Sequence, residues 1–182
     1  MKQGRARSPH RQRKEDGVAA IEFVIVMPVL LLLYFGMINL TSYISALRKV
    51  NTAAELVTDL ASRNKNEVKS SDIDDYFSAA AMLFLPGSAD GLQIQLYNYY
   101  LNNGAATMRW QKSRTAETCS PPDLADPEII KMLASSDVLI AVACIPGYAA
   151  PARFPGLTAF AVPRKSFALK PRQSNELLCT GC

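Results

Sequence analysis

From Val18 to Leu40 the sequence reads VAAIEFVIVMPVLLLLYFGMINL, 23 residues in which Glu22 is the single charge. In hydrocarbon a backbone must satisfy its own hydrogen bonds, so a run of this kind has to be a helix. At about 1.5 Å per residue it crosses the roughly 30 Å bilayer interior. Of the 182 residues, those that remain suffice for one small globular domain and not for two large ones.

The charge distribution orients that helix. The net charge is +4, and Lys2, Arg5, Arg7, Arg11, Arg13 and Lys14 against Glu15 and Asp16 account for all of it, leaving fourteen basic and fourteen acidic residues from Val18 onward. A neutral body lacks the electrostatic footprint of a nucleic-acid binder. Cations concentrated before the span hold the N-terminus in the cytoplasm by the positive-inside rule. The expected organisation is a basic leader at 1–17, a transmembrane helix at 18–40, an amphipathic extension at 41–66 and an exported domain at 67–182.

Three kinds of signal compete for this N-terminus. A secretory signal peptide has a shorter apolar core and a small-residue cleavage site after it, and Ile44-Ser45-Ala46 matches that site poorly. A plain signal anchor explains length and orientation. It gives no reason for Glu22, which costs about 2.5 to 3.5 kcal/mol on insertion scales unless it sits shallow and snorkels to the interface. The third kind uses every feature. Arg13-Lys14-Glu15-Asp16-Gly17 followed by Val18-Ala19-Ala20-Ile21-Glu22-Phe23 and an apolar stretch resembles the processing site of type IV pilin-like precursors. More closely, GVAAIEFVIVMP before a leucine run is similar to the TadE and TadG branch of tight-adherence (Flp-type) pilus pseudopilins, with Pro28 as the early membrane proline.

That resemblance implies cleavage between Gly17 and Val18 by a prepilin peptidase. It implies a bacterial inner-membrane protein, single-pass, with its C-terminal domain periplasmic or extracellular and with other pilins and pseudopilins as partners. It also gives Glu22, fifth after the cut, together with Phe23 and Pro28, a part in subunit assembly. Val18 stands where major type IV pilins commonly have phenylalanine, which favours the tight-adherence branch. The physics agrees with the role of Glu22: cutting creates an α-amino cation with a reference pKa of about 7.7 to 8.0. Burying it beside a neighbour's carboxylate lets two charges that each oppose membrane burial pack in register.

Beyond the span, Ile44, Leu47, Val50, Ala54, Val57 and Leu60 recur at helical spacing, so the helix is expected to continue to about Arg63. Ser71-x-x-Asp74 reads as a capping box opening a second helix with Tyr76, Phe77, Ala80, Ala81, Leu83 and Phe84 on its apolar face, stopped by Pro86-Gly87. Leu92 to Tyr99 alternates as a half-buried strand, and Asn102-Asn103-Gly104 turns it into a partner strand at Ala106 to Lys112. Asp126 caps a short helix from Pro127 to Leu133. Val138 to Ile145 is a buried strand, and Ala159 to Leu169 an edge strand interrupted by Pro163. The fold class is α+β: a long N-terminal helix running into a two-layer domain with a small, mainly antiparallel sheet. The resemblance adds a tryptophan in the second strand, here Trp110, and a proline-rich excursion from Ile145 to Pro155. Trp110 and Tyr97, Tyr99 and Tyr100 are read as packing residues rather than a ligand-stacking site.

Cys119, Cys144, Cys179 and Cys182 all follow the span, an even number on the oxidising side, which favours disulfides. Three pairings are possible. The C-x-x-C spacing of Cys179 and Cys182 also fits a redox dithiol or half a zinc site, but no strand-to-helix context precedes it and the only histidine, His10, lies in the leader. Neither a metal nor any other cofactor is expected. No phosphate loop, nucleophile elbow or metalloprotease motif occurs, and Asp72, Asp74 and Asp75 complement a helix start better than they make a calcium loop. The expected role is therefore a minor pilin or pseudopilin supporting pilus biogenesis or adhesion. Its rival is an uncleaved envelope protein whose exported domain binds or scaffolds, and an enzyme is the least supported class.

Overall fold

The computed structural model describes residues 9–85, 91–116, 119–146 and 162–182, with side chains from residue 21 onward. The chain divides into two compact units, Met1–Thr41 and Ser42–Cys182. Helix α1, Pro9–Ser62, supplies the first unit and opens the second. The second unit continues through β1 (Glu67–Lys69), α2 (Ser70–Met82), β2 (Gln93–Asn102), β3 (Ala105–Ser113), α3 (Pro127–Leu133), β4 (Val138–Cys144), β5 (Arg164–Leu169) and β6 (Leu178–Thr180).

A four-stranded antiparallel sheet in the order β3-β2-β4-β5 organises the second unit. Leu92, Ile94, Leu96, Leu139, Ala141, Ala143 and Trp110 point to one face, where the later part of α1 and α2 pack on them through Val50, Ala53, Ala54, Val57, Ile73, Phe77 and Ala80. This is the α+β layering expected. Of the stripe the periodicity suggested, Val50, Ala54 and Val57 are fully buried, but the buried face is turned somewhat from it: Ala46, Ala53 and Ala61 also lie inward, and Ile44 is left 41% exposed. Small side chains let a helix backbone approach a sheet closely, which gives alanine an advantage that hydropathy alone does not register.

Strand β2 is buried on both faces instead of being half-buried, because α3 covers the opposite side. There Tyr97, Tyr99, Val138, Ile140 and Val142 pack with Ile129 and Leu133 of α3 in a smaller cluster. Asp126 accepts from the Glu128 amide at 2.9 Å and Pro127 occupies the first turn, as their order in the sequence predicts. The hairpin turn places Asn103 at φ 50° and Gly104 at φ 83°, the left-handed pair a two-residue turn between twisted strands requires. A bulge follows: Asn98 pairs with Trp110 and Tyr99 with Met108, leaving Arg109 as the extra residue.

One expectation is corrected here. Helix α2 starts at Ser70, not with a capping box on Ser71; its N-cap is the extended Lys69, which makes no side-chain cap, and Ser71 Oγ instead bonds the Asp72 carboxylate. The cause is β1, whose parallel pairing with β6 sets Lys69 opposite Thr180 and fixes an extended residue directly before the helix. The C-terminal segment, to which the sequence assigned no element, is itself structural: it returns to form β6 and buries Leu177 completely. Strand β5 is an edge strand as expected and starts at Arg164, directly after Pro163. The expected strand start at Ala159, the excursion from Gly147 to Pro155 and the Pro86-Gly87 stop lie outside the described residues.

Candidate assembly interface on the N-terminal helix

Residues 21–34 of α1 are exposed on every side and apolar apart from Glu22, whereas Phe35, Gly36 and Ile38 are partly covered and Asn39 is buried. Ile21 is 65% exposed, Phe23 61% and Met37 71%, and Val24, Ile25, Leu30, Leu32, Leu33 and Tyr34 are comparably open. The most hydrophobic window has a mean hydropathy of 2.4 and is buried nowhere. An apolar helix exposed all round is unstable in water and belongs in lipid or among other helices. It is the one candidate membrane span among the described residues.

Within this surface Glu22 is exposed between Ile21 and Phe23. Gly17 and Val18 lie in the helical backbone of α1, one turn before it, and their side chains are outside the described residues. Helical spacing puts position 18 and Glu22 on the same face, so a terminal amine at Val18 and the carboxylate would align along one stripe. Pro28 sits inside α1 and has no N–H to donate to the Val24 carbonyl, leaving an acceptor open within the apolar stretch.

The cysteines stand in the second unit in two separate bridges. Cys119 pairs with Cys144, which is at the end of β4, and both are buried. Cys179 pairs with Cys182 in a local loop with Gly181 at φ 83°. Of the three possible pairings the structure adopts the one that leaves the tail unstapled by cystine. A hydrogen-bonded cluster does that work, and sequence reasoning did not find it. Asp137 accepts from the Leu177 amide and from Asn98 Nδ2, each at 3.1 Å, and pairs with Arg109 at 3.2 Å. Trp110 Nε1 and Asn98 Nδ2 both donate to the Leu177 carbonyl. Arg109, stacked over the Tyr100 ring, reaches Glu176 as well. The one sequence signal was an acid directly before a wholly apolar strand. Trp110 thus packs in the core as expected, and its indole N–H is satisfied by the tail.

Residues 17–57 match the model of the TadE-like protein family. No curated protein and no solved structure matches the chain. The match covers the stretch from which the resemblance was read, and it associates the chain with the tight-adherence pilus machinery. TadE-like proteins are pilus components, and the exposed apolar helix accords with a membrane-anchored one.

Proposed function

We propose that this chain is a minor pilin or pseudopilin of a tight-adherence pilus system, cut after Gly17 by a prepilin peptidase and seated in the bacterial inner membrane with its domain on the exported side. The observation that carries the reading is that the family match opens at Gly17 itself, so the charged leader falls outside it and Glu22 falls within it. After cleavage the new amine of Val18 and the Glu22 carboxylate of a neighbouring subunit neutralise each other in hydrocarbon, which favours subunits packed in register. The exposed apolar helix supports this, since it needs either lipid or helices like itself around it.

Intact mass of the protein purified from its native membrane tests the proposal. Loss of residues 1–17 is expected, and Gly17→Val, which places β-branched bulk beside the scissile bond, should leave the precursor full length. A wild-type mass that includes the leader would replace this reading with that of an uncut single-pass envelope protein whose domain binds or scaffolds.

A further inference from the structure

The exposed side of α1 in the second unit carries a groove of about 570 Å³ lined by Ile44, Leu47, Arg48, Asn51 and Thr52, with Lys165 of β5 across from them. The five helical residues fall at i, i+3, i+4, i+7 and i+8, a single stripe beside the one buried against the sheet. Arg48 and Lys165 are exposed, and among the described residues neither has an ion pair or hydrogen bond, nor do the Asn51 and Thr52 side chains. Among the described residues no carboxylate lines the groove; Glu55, next along the stripe, is outside it. Some other basic side chains of the unit are occupied, Arg63 and Arg172 by Asp59 and Lys49 over the Phe84 ring, whereas the exposed Lys65, Lys69 and Lys131 lie outside the groove.

We infer that this groove binds the phosphate headgroup of an anionic phospholipid, with Arg48 and Lys165 on the phosphate, Asn51 and Thr52 donating to its oxygens, and Ile44 and Leu47 against the first methylenes of the lipid chains. The inference rests on the membrane-anchored reading of the helix. Two unpaired cations with amide and hydroxyl donors suit a phosphate oxyanion, and the apolar pair suits what is attached to it. Position along α1 selects a lipid over a soluble phosphate. Ile44 follows Leu40, the last residue of the apolar run, by four residues, a rise of about 6 Å, similar to the thickness of one headgroup layer. Arg48 lies a turn further on, and its stem is long enough to reach back toward the interface.

Native mass spectrometry of the full-length, detergent-solubilised protein, titrated with phosphatidylglycerol or phosphatidylcholine, tests the site. Wild-type protein should retain one phosphatidylglycerol in preference to phosphatidylcholine. Arg48→Gln with Lys165→Gln should weaken that retention by about thirtyfold, the effect of removing two interfacial cations, while Lys49→Gln leaves it unchanged. Equal retention of both lipids, or full retention by the double variant, overturns the proposal. The second outcome, accompanied by loss of cross-linked oligomers in the double variant, would assign the groove to a carboxylate of a neighbouring subunit. Carbonate extraction of native membranes reads the anchor separately. Release of the wild type would remove the membrane reading, whereas a retained protein with no lipid preference would overturn the groove alone.

Discussion

The backbone N–H of Leu177 donates to Asp137 Oδ2 at 3.1 Å, across 40 residues of chain. The Asp137 amide in turn donates to the Asn175 carbonyl at 2.8 Å, so the residue before β4 and the segment before β6 hold each other by main chain and side chain together. The same tail closes α1: the Arg172 amide donates to the Ser62 carbonyl and Gln173 Nε2 to the Arg63 carbonyl, satisfying acceptors a helix end leaves open. A segment with little apolar content is thereby ordered through the hydrogen bonds it completes.

Asp137→Ala should therefore be among the most destabilising single changes outside the apolar core. It leaves the Leu177 amide without its acceptor and Arg109 with only the exposed Glu176. A loss of about 2 to 4 kcal/mol is expected, from a buried unpaired donor and a partly buried unpaired cation. Urea unfolding of the purified protein would measure it. A loss below about 0.5 kcal/mol, the range of ordinary surface substitutions, would show that the tail is not held this way.

The two cystines should behave differently. Cys119 and Cys144 are buried and 25 residues apart, whereas the Cys179–Cys182 loop spans 3 and its Cys182 is exposed. Loop-closure entropy gives about 3.5 kcal/mol for the long bridge and about 2 kcal/mol for the short one. Denatured, unreduced protein should show no alkylatable thiol. Brief mild reduction of the native protein before alkylation should label Cys179 and Cys182 first, and earlier labelling of Cys119 would contradict the burial argument.

How much of this was legible depended on the range of the interaction. The apolar span, the α3 cap at Asp126, the Asn103-Gly104 turn and the buried β4 run are local patterns, and each could be read where it stood. Strands β1 and β6 could not, since three residues such as Glu67-Val68-Lys69 become a strand only when Leu178-Cys179-Thr180 arrives from over a hundred residues away. The Arg109 bulge and its bond to Asp137 are likewise products of pairing register. For the candidate assembly interface, Glu22 drew notice because membrane burial makes a lone carboxylate conspicuous. The groove at Arg48 did not, because it needs Lys165 from another strand.

Stability should fall in alkali in a manner traceable to the second sheet face. Burial holds the Tyr99 hydroxyl above the ordinary phenol range, with the neighbouring Tyr97 adding to the effect; burial also raises Tyr97, offset in part by Arg164. As pH rises past about 10 the unfolded chain releases these protons before the native one does. The native state then binds more protons, so its stability is complete below that pH and declines through the raised native values. Tyr99→Phe has no such proton to lose. It should match wild type at neutral pH and show a shallower loss between about pH 9.5 and 11 in urea midpoints, and parallel curves would refute the assignment.

The remaining prediction separates insertion from assembly at Glu22. The residue is exposed in an apolar surface, so Glu22→Ala removes a charge that costs about 2.5 to 3.5 kcal/mol to place in the membrane and should insert at least as well as wild type. Under the proposed function it also removes the partner of the Val18 amine, so pilus assembly should be lost although the protein is processed and present. Glu22→Gln sharpens the test, since it keeps size and hydrogen bonding but not charge: failure of both variants would point to charge pairing, and function of the glutamine variant alone to hydrogen bonding. Membrane fractionation, intact mass and surface piliation, measured on the same strains, distinguish these outcomes. Wild-type piliation with alanine would mean that Glu22 merely snorkels to the interface and that register in the assembly is set by other residues.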